Sequence, residues 1–225
     1  MGSEYSVTAR RLGIASTPLV AVLLLAYAAT LAAGFASLES ADEQMGNPYF
    51  TLLEVLIIVM IPPMVSLLAA VHAWAPARLK ALSLTSVVFM GLVASVTCAL
   101  HFVILTLSRQ PEFSTLEHWP LLVTFEWPSL AYALDILAWD VFFALSMLFA
   151  SGVFSGSRLA VSVRVSMVLS GVLALAGLSG VVTGDMGLRN IGIVGYVGVF
   201  FFVVVLLGAL FHRSAPVWEE GARSL

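Results

Sequence analysis

Charge is what this chain has least of. Asp, Glu, Lys and Arg together make up 10% of its 225 residues, with 10 Lys and Arg against 13 Asp and Glu and a formal net charge of −3. A soluble domain carries about a quarter charged residues. No basic run and no basic excess exists, which excludes a nucleic-acid binder. Cysteine is nearly absent as well. Cys98 stands alone in an apolar stretch, so no internal disulfide can form, and it reads as a small core residue. Alternating strand-like runs are missing, and so are a P-loop, an HExxH helix and a nucleophile elbow.

What fills the chain instead is apolar length. Hydrophobic residues reach 60% and the mean hydropathy is +1.04. One soluble domain of this size could not hide that much apolar surface, and a disordered chain would be far more polar. Lipid is therefore the main solvent. A crossing helix needs about 20 apolar residues, and six stretches supply them: Gly13 to Ser37, Tyr49 to Trp74, Leu82 to Leu107, Ser129 to Phe154, Val161 to Thr183 and Asn190 to His212. Exposed sheet edges are not viable in lipid. The expected fold is all-α, a single polytopic transmembrane helix bundle of six spans.

Arg10 and Arg11 before the first apolar run, with Gly34-Phe35-Ala36 after it, outline a signal peptide. The uncharged run from Leu12 to Leu38 is long enough to span, and we read it as a retained helix. Orientation follows from Lys and Arg. Arg10, Arg11, Arg78, Lys80, Arg158, Arg164, Arg213 and Arg223 fall on one side, and only Arg109 and Arg189 on the other. By the positive-inside rule both termini are cytoplasmic, in agreement with an even span count. The outer face is acidic, with Glu39, Asp42, Glu43, Glu112, Glu117, Glu126 and Asp185. The one long connection, 108–128, carries Phe113, Trp119, Phe125 and Trp127 and reads as an interfacial aromatic belt or as a lid over the bundle.

Ionisable residues inside the spans are costly, and each is a functional candidate by default. Glu54, His101 and Asp135 each lie about five or six residues from the outer end of a different span, and Asp140 lies roughly 16 Å deep. On the fourth span Tyr132, Asp135, Trp139 and Phe142 follow at i, i+3, i+7 and i+10, one face of an α-helix. Asp140 is five residues from Asp135, about 140° round an α-helix, so it should meet a different neighbour, a Ser or Thr of another span. Asp135 could meet Tyr132, Trp139 or Arg109. Asp140, Asp135, Trp139, Tyr132, His101 and Glu54 are the candidates for binding a ligand or a proton. Asp185 and Arg189 are a candidate ion pair pinning the outer turn.

No metal ligand set converges, and no cofactor is expected; only a deep lid would bring His118 over His101. Pro62-Pro63 should kink the second span. Ser166, Ser170, Ala174 and Gly177 on the fifth span, and Gly192, Gly195 and Gly198 on the sixth, read as close-packing ridges.

The stretches Leu82-Ser83-Leu84-Thr85, His101-Phe102-Val103-Ile104-Leu105-Thr106 running into Ser108-Arg109-Gln110, Ala138-Trp139-Asp140-Val141-Phe142-Phe143, and Arg189-Asn190-Ile191-Gly192-Ile193 with Gly195-Tyr196 resemble an uncharacterised family of bacterial six-span integral membrane proteins. The resemblance implies a bacterial cytoplasmic membrane and brings no activity. Three functional expectations remain. The leading one is a non-catalytic membrane protein, an assembly, regulatory or partner subunit that contacts the bilayer and forms a homo-oligomer or binds a membrane protein. The second is a small proton- or cation-coupled carrier using Asp140 and Asp135. The third is an outer-leaflet enzyme with His101, Asp135 and Glu126 as acid/base groups, which must reach one substrate atom together.

Overall fold

The structure, a computed structural model, describes residues 6–40, 45–108 and 110–214. Asp42, Glu43, Arg109 and Arg223, counted above among the loop charges, lie outside the described residues. Six helices are long and apolar enough to cross a membrane: α1 Val7–Ala36, α2 Tyr49–Trp74, α3 Ala77–Leu107, α4 Leu130–Ser151, α5 Arg158–Thr183 and α6 Met186–Arg213. In lipid a backbone must satisfy its own polar groups, and these apolar runs do so as helices. The protein is a multi-pass transmembrane helix bundle.

Local chemistry sets the helix ends. The Ser6, Ser129 and Ser157 hydroxyls each accept a backbone N–H at 3.1 Å and so cap α1, α4 and α5. Gly184, with φ of +77°, takes the left-handed turn that ends α5. The C-terminal carbonyls of α2 and α6 are met by cations. Lys80 Nζ donates to the His72 and Ala73 carbonyls, and Arg10 Nε donates to Phe211 and Ser214 at 3.1 and 3.0 Å. The latter contact ties the start of α1 to the end of α6. Each helix packs on its neighbours in sequence, and α1 closes on α6, so the six form a ring. Both described termini lie at one end, here the termini end; the 108–128 connection lies at the opposite, loop end.

The ring is filled differently along its length. Toward the termini end Met64, Leu67, Met147, Phe154, Leu207 and Phe211 are fully buried in one apolar core. Lipid offers little hydrophobic drive for helix association, so close approach and interhelical hydrogen bonds carry it. Ser170 Oγ donates to the Gly195 carbonyl at 2.8 Å, where a side chain on Gly195 would run into the backbone of Ser170 and Ala174. Ser146 Oγ donates to the Ser86 carbonyl at 2.9 Å. Such bonds contribute about 0.6 kcal/mol each on average, and at most about 1.7. Toward the loop end the apolar filling gives way to charged side chains.

Candidate functional site

The site starts from an irregularity in α4. After α-helical turns over Leu130–Ile136, residues Leu137–Phe143 wind as a π-helix before the α-helix resumes at Ala144. A π turn bonds i to i+5, so residues five apart come round to one side. This corrects the expectation for Asp140. It does not turn away from Asp135 to a Ser or Thr; both carboxylates reach the same guanidinium, that of Arg189. The same winding breaks the predicted face beyond Trp139. Phe142 turns to Phe89 of α3, with ring centroids 6.2 Å apart. A second π stretch, Val194–Val199 in α6, packs against the first, with Trp139 and Tyr196 centroids 5.3 Å apart.

Four helices contribute to one chain of charges. On α2, Glu54 Oε2 lies 2.8 Å from Nδ1 of His101 on α3. His101 Nε2 lies 3.7 Å from Oδ1 of Asp135 on α4. Arg189 of α6 donates from Nη2 to Asp135 Oδ2 at 2.6 Å, and its Nε lies 3.4 Å from Asp140 Oδ2, an ion-pair distance without hydrogen-bond geometry. Relative exposures are 3% for Glu54 and His101, 8% for Asp135, 6% for Arg189 and 0% for Asp140. Charges this far from water persist only when paired. The pairing is nevertheless incomplete: His101 Nε2, Trp139 Nε1, Arg189 Nε and both Asp140 oxygens have no hydrogen-bond partner. The Tyr132 ring covers the guanidinium, with Arg189 Cζ 4.5 Å from its centroid. Glycine makes the room: a Cβ at Gly177 or Gly192 would collide with Asp140 Oδ1.

A cavity of about 970 Å³ opens against this chain at the loop end. Every long helix except α5 lines it, and so do residues 123–127 of the long connection. Glu54, His101, Tyr132, Asp135, Trp139 and Arg189 all face it. Asp140 is not among the lining residues and reaches the cavity only through Arg189. Phe125 stacks on the His101 ring at 5.5 Å and meets Phe50 and Tyr132 edge-on at 6.2 Å each. It is therefore Phe125, and not His118, that packs on His101. Two exposed carboxylates, Glu126 and Asp185, sit on the rim.

The predicted Asp185–Arg189 pair is not made. Asp185 Oδ1 instead accepts the Gly187 N–H at 2.9 Å, capping the first turn of α6, while Arg189 turns inward. The role of Arg189 escaped sequence reasoning, and so did Tyr27, Phe125 and Tyr196 as parts of the site. A charge balance would have found Arg189: three intramembrane carboxylates need a cation, and Arg189 is the described Lys or Arg nearest their level. Comparison with known proteins returns no matching family model, no matching curated protein and no matching solved structure.

Proposed function

We propose that the protein is a small proton-coupled carrier that binds its solute in the loop-end cavity, beside Asp135 and Arg189. The observation that supports this is the coincidence of cavity and charge. Ion pairs serving only as interhelical glue need no 970 Å³ opening against them, and a subunit that works through its outer faces needs no buried charge chain. Glu54, His101 and Asp135 form a line of groups able to pass a proton, the usual employment of such residues within a membrane. This places the carrier ahead of the partner-subunit expectation. Every described Lys and Arg except Arg189 lies in the termini half, so by the positive-inside rule the termini are cytoplasmic and the cavity opens outward. Together with the family resemblance, this suits a bacterial cytoplasmic membrane.

Native mass spectrometry of protein released from mild detergent tests the reading. A stoichiometric non-lipid mass is expected on the wild type, and less of it on Trp139→Phe, which alters a ring lining the cavity and removes its buried, unpartnered N–H. The solute so identified, added outside proteoliposomes holding a pH dye, should move protons in the wild type and not in Asp135→Asn. Bare protein would return the partner-subunit reading to the front.

A further inference from the structure

The cavity's own chemistry narrows the solute class, and this step rests on the carrier reading. Carboxylates outnumber cations around it. Glu54, Asp135 and Asp185 line the opening, with Asp140 directly behind, against Arg189 and one histidine. Arg189 lies between Asp135 and Asp140 with the Tyr132 ring over it, so its charge is already met. With its carboxylates ionised, the site therefore has negative charge left over whether or not His101 is protonated. Most of the remaining wall is aromatic and apolar, with Ser108, Thr124 and Asn190 as further polar side chains. Tyr27, Phe125, Tyr132, Trp139 and Tyr196 bring ring surface to the lining, between aliphatic side chains such as Leu31 and Ile57.

Aromatic faces attract cations through the ring quadrupole, most strongly when the cation is desolvated, and cages of them recognise quaternary ammonium groups. A volume of about 970 Å³ is at the large end of the range for drug-sized ligands. Trp139, only 3% exposed, brings its ring to this wall, and its buried indole N–H has no protein acceptor. We infer that the solute is a lipophilic organic monocation, an amine or quaternary ammonium with an apolar body. Cation and proton would then draw on the same surplus negative charge, which is a direct way to couple them.

Two ions of one shape and opposite charge test the sign. Equilibrium dialysis of the full-length protein in detergent, corrected for empty micelles, should show saturable binding of tetraphenylphosphonium and none of tetraphenylborate. Glu54→Gln, which keeps a hydrogen-bonding group beside His101, should weaken the cation by about tenfold or more. Wild-type protein alone decides the sign if that variant fails to fold. Tetraphenylborate binding, with or without the phosphonium, would overturn the inference, because the cavity would then take apolar bulk without preference for positive charge. If neither ion binds but native spectra carry a bound mass, the solute class is wrong and the carrier stands. If neither ion binds and no mass is found, both fail.

Discussion

At the residue scale Arg189 is the hub, because it contacts two carboxylates of one helix, and besides it only the His101 ring, 3.7 Å from Asp135, comes near either as a cation among the described residues. Arg189→Met should leave Asp140 buried without a cation and Asp135 with only His101, at 3.7 Å. Breaking a buried pair in this way costs about 3–5 kcal/mol. Thermal unfolding in detergent should show a large loss of stability, or no folded protein at all. Asp140→Asn keeps the Asp135 contact and should cost less. Asp185→Asn should match the wild type, since Asn caps a helix turn as Asp does. A larger loss from Asp185→Asn than from Asp140→Asn would mean that Arg189 pairs outward after all. The charged residues themselves were legible in the sequence, because any ionisable group in an apolar run stands out. Their partners were not, since which helices adjoin in the ring is decided by packing among spans that look alike in hydropathy.

At the element scale the two π turns matter most. Nothing in the run Leu137–Phe143 marks it as other than α-helical, and the reading of Tyr132, Asp135, Trp139 and Phe142 as one face assumed a constant period. That assumption holds as far as Trp139, which lines the cavity, and fails at Phe142. It also separated Asp135 from Asp140 when the wider turn brings them together. The glycines of α6, read as a close-packing ridge, prove unequal. A Cβ on Gly192 meets the Asp140 carboxylate, whereas one on Gly198 has Val194 Cγ1 at 3.9 Å as its nearest neighbour. Gly192→Ala should destabilise by about 1–3 kcal/mol, as overpacking does, and should disturb the Arg189 contact. Gly198→Ala should stay within about 0.5 kcal/mol of wild type. Equal melting temperatures for the two variants would argue against a carboxylate seated on Gly192.

At the scale of the whole molecule, hydropathy alone indicated the number of spans, while the first and third helices begin six and five residues before the expected Gly13 and Leu82. The ring closure between α1 and α6 and the hollow at one end had no such signal, because both depend on contacts between distant parts of the chain. Orientation is open to a direct check in a Cys98→Ala background. Cysteines at exposed Glu117, in the long connection, and at exposed Ser155, between α4 and α5, lie at opposite ends. In intact cells a membrane-impermeant maleimide should label Glu117→Cys and spare Ser155→Cys. The reverse pattern would turn the cavity toward the cytoplasm.

The uneven filling of the ring also shapes the electric field within it. Water in an open cavity carries the potential of its own side inward, so little voltage drops between the rim and Asp135. Most of it falls across the dry half, where Phe143 meets Phe200 edge-on at 5.1 Å above the core. A unit charge crossing the full potential gains or loses about 2.3 kcal/mol per 100 mV. Occupancy of the site should therefore respond weakly to membrane potential. On the carrier reading, passage beyond the buried Phe143–Phe200 pair should respond strongly, and the electrical work on the solute would be done there.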